Sequence, residues 1–323
     1  MSATLSPEQI LRELADLWIS MAKDATSKTG DGVLRACSMT LIVLSEASED
    51  AAALDETIAA LMSEHPARTI VIRLSGAGER ALSERVYAEC WMPFGQRRQI
   101  CCEQIEITAS DRALADLPSV VLPLAVADLP VILWSRAPRL LGMPEFGAIA
   151  AIATRVIVDS GPMPDPQAAL RLLASAADRT VLGDLAWTRL TRWREMLSQV
   201  FQNRKLLARI ASITQAHVRF GPGYETPARY LAAWISDCLP QVKAAVAADS
   251  ATPTLQFDLS GDAIHISLRR QDQRLVATVN EISQCTNLPQ PGDYTLMREE
   301  LAITSRDPVF ERALKSASRI PNP

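Results

Sequence analysis

Glycine is sparse in this 323-residue chain, at 13 residues, and it is missing where a nucleotide site would need it. The first buried strand expected, within CSMTLIVLSE, runs into SEASEDAAAL, which has no glycine and three acids. A dinucleotide fingerprint needs glycines there so that backbone can approach a pyrophosphate. Here a phosphate would meet repulsion. No Walker A pattern exists either, and the glycine pair in SGAGER, Ser75 to Arg80, reads as a plain turn. Histidine is scarcer still, with three residues. His65 precedes a proline at a helix end, where a cation suits the helix dipole, and His217 and His265 fall on the polar phase of alternating strands. None has the patterned neighbours of a metal or acid–base site.

Other absences narrow the class further. Paired thiols at zinc spacing are lacking: Cys101 and Cys102 are adjacent and the other four of six cysteines are scattered. A chain this long with so few cysteines is not a disulfide scaffold. A bridge between Cys101 and Cys102 is awkward, because Cα atoms about 3.8 Å apart fall below the usual disulfide range of about 4.4–6.8 Å. On a strand these two side chains point to opposite faces, so one thiol is expected in the core. The sharper alternative is a redox sensor that pairs Cys101 or Cys102 with a distant cysteine, with Arg97 and Arg98 lowering the thiol pKa. The nucleophile elbow G-x-S-x-G is missing, and no carboxylate pair stands out. No long apolar run survives: Leu117 to Trp134 is broken by Pro118, Pro123, Asp128 and Pro130. The N-terminus lacks a basic n-region, so no signal peptide is read and the cytoplasm is expected. Basic charge is not in excess, with 33 Lys and Arg against 37 Asp and Glu. That speaks against nucleic acid as a partner. Neither cofactor, metal nor membrane is expected.

What the chain does have is core-forming material, 48% hydrophobic with 22% charged residues, and length for about two domains. A helix starts at SPEQ. MTLIVLSE, a helix over SEDAAALDETIAALMSEHP capped at Ser48, and RTIVIRL give a β-α-β order that predicts a parallel sheet covered by helices. A helix over Glu79 to Glu89, a strand over Gln99 to Thr108, strands at Val131 to Trp134 and RVIVD, and helices at Pro144 to Ala153 and DPQAALRLLASAAD follow. GDLAWTRLTRWREMLSQVF reads as one helix capped by Asp184. After about Gln202 the texture changes. The strand ITQAHVRFG and the helix TPARYLAAWISDCL precede three alternating strands around Leu255, Ile264 and Leu275. The expectation is an α/β domain over residues 1–202, mostly parallel and flavodoxin-like. A smaller α+β domain over 203–323 would carry an antiparallel meander.

The remaining signal is tryptophan interleaved with arginine: Trp91 before PFGQRR, Trp134 before Arg136, and Trp187 and Trp193 among Arg189, Arg192 and Arg194. These types dominate protein–protein hot spots. Trp193 lies in an apolar stripe and reads as core. The flank with Arg189 and Arg192 reads either as a solvated basic surface or as a contact for acidic groups or a sugar phosphate.

The segments CWMPFGQRRQICCEQIEI, LPLAVADLPVILWSR and GDLAWTRLTRWREML resemble signature blocks of the OpcA family, the glucose-6-phosphate dehydrogenase assembly proteins. MTLIVLSE and HPARTIVIRL resemble its earlier blocks, so the likeness runs from about Cys37 to Phe201. It implies a non-catalytic partner that binds glucose-6-phosphate dehydrogenase and promotes its active oligomer or raises its apparent affinity for glucose 6-phosphate. Redox control accompanies the family in cyanobacteria. The contact residues expected from the matched blocks are Trp91, Phe94, Arg97, Arg98, Trp134, Arg136, Trp187, Arg189 and Arg192. A homo-oligomer is compatible with this reading. The alternative is a sugar-phosphate- or nucleotide-binding enzyme or sensor on an α/β sheet.

Overall fold

A computed structural model describes residues 6–28, 34–79, 81–91, 100–262 and 264–321. The chain divides into two compact units, Met1–Val158 and Asp159–Pro323.

The first unit holds α1 (Pro7–Lys28), β1 (Leu34–Arg35), β2 (Met39–Glu46), α2 (Ala51–Met62), β3 (Ala67–Leu74), β4 (Leu82–Trp91) and β5 (Ile100–Ala109). It continues with α3 (Leu117–Leu124), β6 (Val131–Ser135), α4 (Pro144–Ala150) and β7 (Arg155–Val158). Its strands lie in the order β1-β5-β3-β2-β6-β7, with β4 on β5. The β2–β3, β3–β5, β2–β6 and β6–β7 pairs are all parallel. All of β3 is buried, and so is all of β2 except half-buried Glu46. A parallel sheet covered on both faces demands such continuous apolar runs. Counting only the long parallel strands, the order is 3-2-1-4-5, that of a doubly wound dinucleotide sheet. A flavodoxin-like order would read 2-1-3-4-5.

Two local readings change. Residues 82–91 are the strand β4, not a helix. It pairs antiparallel with β5 along its whole length, from Leu82↔Ala109 to Trp91↔Ile100, and this pairing overrides a local helix preference. The cap of α2 is Asp50, whose carboxylate accepts from the backbone N–H groups of Ala52 and Ala53, in place of Ser48. The helix α1 is anchored by Glu103, which is 3% exposed. Glu103 accepts from Trp18 Nε1 at 2.6 Å and pairs with Arg35 and Arg68, also at 2.6 Å. Arg68 also donates to the Leu124 carbonyl, so this charge cluster is well partnered for its depth.

The second unit holds α5 (Pro166–Ala176), β8 (Val181–Asp184), α6 (Leu185–Thr188), α7 (Thr191–Val200), α8 (Arg204–Leu207), β9 (Ile213–Phe220) and α9 (Glu225–Cys238). It ends with β10 (Lys243–Ala248), β11 (Leu255–Gly261), β12 (Ile264–Gln271), β13 (Arg274–Val279), β14 (Ile282–Asn287), α10 (Asp293–Leu301) and α11 (Pro308–Ala317). A six-stranded sheet runs β10-β9-β11-β12-β13-β14. It is antiparallel except for β10 on β9, whose crossover is α9. The expected meander is present and extends by β14. Ile213, Ala216, Val218, Leu255, Phe257, Leu259, Ile264, Ile266, Leu268, Leu275 and Ala277 form the buried face. Alternation along β12, buried Ile264, Ile266 and Leu268 against exposed His265 and Arg269, shows a sheet covered on one side only. The helix expected from Asp184 breaks in two after Thr188, whose hydroxyl bonds back to the Asp184 carbonyl at 3.1 Å and to Glu300 at 2.5 Å.

Candidate functional site

In an open α/β sheet, ligands bind outside the carboxyl ends of the strands, where the order reverses. Here the chain proceeds outward from β2 through β3 to β5, then returns to the other side of β2 with β6. The switch point therefore lies between the ends of β2 and β6, beside the N-terminus of α2. Such a helix end favours an anion. In this chain it is filled by side chains from the protein itself. Glu46 ends β2 and accepts two bonds from Arg139, at 2.7 and 3.1 Å. Arg139 also reaches Asp111 at 2.8 Å. Glu49 accepts from Arg136 Nε at 2.6 Å, and Asp50 closes the first N–H groups of α2. The Glu46 hydrogen bonds hold the Arg139 guanidinium above its ordinary pKa, against the opposing effect of burial. Among the described residues, Glu46, Glu49, Asp50 and Asp111 outnumber Arg136 and Arg139, and Asp50 already uses the first N–H donors of the helix. The three acids were legible in SEASED; the arginines that pair with them were not, because residues 136 and 139 are distant in sequence.

The tryptophans and arginines pair mostly with one another. Arg136 stacks on Trp134 with its guanidinium 5.0 Å from the ring centroid, and Arg194 lies 3.7 Å from that of Trp187. Trp134 is 1% exposed and Trp187 3%. Trp187 also packs against Tyr230 and Phe310, at centroid distances of 5.7 and 6.0 Å. These two rings are core, so the expected contacts through the indoles of Trp134 and Trp187 are not on the surface. Burial lowers the Arg194 pKa, and its Nε has no hydrogen-bond partner among the described residues. Arg189 makes a bidentate pair with Asp159, 2.7 Å on each arm, while Arg192 is exposed and pairs with Glu195, three residues on, at 2.9 Å. Trp91 ends β4, half-buried. Phe94, Arg97 and Arg98 lie outside the described residues.

Cys101 and Cys102 do point to opposite faces, yet both are buried. Cys101 is bonded to Cys90, its register partner on β4. Cys102 is a free thiol pushed up to about 11, chiefly by burial. A thiol so rarely ionised at neutral pH is a poor nucleophile, and Cys37, Cys238 and Cys285 are also free thiols.

Sequence reasoning missed one further polar cluster, within the second unit. Asp184 is fully buried. Its Oδ1 accepts from the N–H groups of Ser160 and Ala186, and its Oδ2 from the hydroxyls of Ser160 (2.5 Å) and Tyr230 (2.7 Å). Burial raises the Asp184 pKa, and nearby Asp159 adds to it. Burial and then Asp184 raise Tyr230 well above its usual value. A perturbed carboxylate can mark a catalytic site, but this one is sealed and each oxygen is satisfied, which makes it a helix cap and a core tie.

Residues 34–175 match the family model for the glucose-6-phosphate dehydrogenase subunit N-terminal domain, and residues 180–314 match that for its C-terminal domain. A protein named for the OxPP cycle, OpcA of Nostoc punctiforme, is 27% identical over 179 residues, covering 54% of this chain and 38% of that one. The OpcA of Synechocystis is 26% identical over 188 residues, covering 57% and 38%. The aligned stretch thus spans less than half of these curated relatives. An NAD binding oxidoreductase from Klebsiella pneumoniae is similar in fold alone, with a TM-score of 0.51, 10% identity and coverage of 87% of this chain and 94% of that one. No helix among the described residues is long and apolar enough to cross a membrane. With both domain models matched in order over most of its length, the chain belongs to the OpcA family of glucose-6-phosphate dehydrogenase subunits.

Proposed function

We propose that this protein is a non-catalytic partner of glucose-6-phosphate dehydrogenase that favours the enzyme's active oligomer or raises its apparent affinity for glucose 6-phosphate. The observation that carries the non-catalytic part is the switch-point crevice. A dinucleotide's pyrophosphate there would face Glu46, Glu49 and Asp50 and find the α2 donors already capped. The match to both domains of the subunit family supports the identity of the partner. The mechanism is linkage: a protein that binds the working conformer of the enzyme more tightly shifts the population toward it. A tenfold change in substrate affinity requires about 1.4 kcal/mol of coupling.

The test is a glucose 6-phosphate titration of the dehydrogenase from the same organism, with and without this chain. The expected result is a lower apparent KM or a larger active oligomer in the mixture, and no NADP reduction by the chain alone. Unchanged kinetics together with separate elution of the two proteins would remove the proposal.

A further inference from the structure

Among the described residues, no helix covers one face of the six-stranded sheet of the second unit. Its outward side chains follow from the register. One row crosses the sheet as Ala245, His217, Asp258, Ser267, Thr278 and Ser283, and the next as Ala247, Arg219, Gln256, Arg269, Val276 and Cys285. At about 4.8 Å per strand step, roughly 24 Å separates the edge strands. Most of these side chains are short, so the surface is flat, and a shallow depression of about 560 Å³ lies over Arg219, Asp258 and Ser267.

A one-sided antiparallel sheet normally turns a solvated face to water. Two features set this one apart. Small and apolar groups, Ala245, Ala247 and Val276, occupy positions that usually carry long polar side chains. The charge is also one-sided. Lys243, Arg269 and Arg274 are exposed, and among the described residues none of them has a carboxylate at ion-pair distance; Arg269 reaches only the side-chain carbonyl of Gln271. The one acid in the strands of this face, Asp258, is 8% exposed and neutralised by Arg219 at 2.7 Å. The nearby acids Asp249, Asp262, Asp272 and Glu281 stand just beyond the strand ends. Arg274 is the diagonal cross-strand neighbour of Arg269, about 7–8 Å away, so their fields add. A chain with formal net charge −4 thus presents a cationic sheet face. Like charge opposes pairing of this face with its own copy.

Resting on the functional reading above, we propose that this open face is the docking surface of the protein, and that its occupant is an acidic patch on the folded partner enzyme. Carboxylates of the partner meet Arg269 and Arg274, and the short side chains let its surface approach the strands closely.

The experiment measures binding of the full chain to the dehydrogenase of the same organism. It compares wild type, the double variant Arg269→Glu/Arg274→Glu, the bulky variant Ser267→Trp and, away from the face, Arg204→Glu, with thermal melts confirming that each is folded. The expected result is at least tenfold weaker binding for the double variant, weaker binding for Ser267→Trp and wild-type binding for Arg204→Glu. Raising salt should weaken the wild type and leave the double variant little changed. If the wild type binds and both face variants bind equally well, the face is not the docking surface, while the functional reading stands. If the wild type does not bind at all, the functional reading falls and the docking surface with it. A wild-type dimer that the double variant dissolves would make a second copy the occupant and overturn the acidic partner.

Discussion

The two units solve the same problem, burying a sheet, in opposite ways. In the first, β2 and β3 are covered on both faces, with apolar centres at Leu41 to Leu44 and Ile70 to Ile72, and their buried arginines, Arg68 and Arg73, are ion-paired. In the second, β9, β11 and β12 are covered on one face and alternate. The consequence concerns where each unit can tolerate charge. The first has to neutralise its interior ions locally, as Glu103 and the crevice pairs do. The second can leave arginines outside, unpaired and available.

The largest expected effect tests the first half of that contrast. Glu103→Ala leaves buried Arg68 without its carboxylate and should cost about 3–5 kcal/mol, read from urea unfolding. A loss below about 1 kcal/mol would mean that the cluster is solvated and the interior less strict than described.

Next comes Asp184→Ala in the second unit, which strands the donors from Ser160, Ala186 and Tyr230 and should cost about 3 kcal/mol. The same residue gives a pH signature. Its folded pKa is raised above 3.8, so the folded state holds this proton more tightly than the unfolded chain. Its stabilising contribution is full below that value and is lost as pH rises through the folded pKa. Asp184→Asn should therefore flatten the fall in melting temperature as pH rises above about 4. Parallel curves for wild type and variant would assign the pH dependence to another group.

Cleaving the Cys90–Cys101 bond should lower stability by about 2–3 kcal/mol, the loop-closure scale for a short ring. Melts of Cys90→Ser with and without reductant measure this, and only the wild type should respond to reductant. Smallest of all is the open face: Arg269→Glu should change stability by less than about 0.5 kcal/mol. A large loss there would show that the face is part of the fold and would erase the contrast between the two sheets.

Much of this was legible in the sequence where period and punctuation agree. Leu255, Phe257 and Leu259 announced a one-sided strand, and Asp184 announced a cap. The misses share a cause. β4 was read as a helix because its ladder partner, β5, is supplied by another segment, and pairing is a property of two strands. Trp134 and Trp187 were read with their arginines as outward contacts. Neighbouring types in sequence do not reveal that Arg136 and Arg194 fold back over the rings. Lys243, Arg269 and Arg274 escaped notice for the converse reason: nothing in a single strand tells which cations share a face.

The ion pairs that fill the β2–β6 junction also act as a ratchet on what this scaffold can become. Neutralising Glu46 or Glu49 alone leaves the junction acidic, and altering Asp50 unseats the start of α2 as well. Making room there for a phosphate would take several coincident substitutions, each of little use by itself.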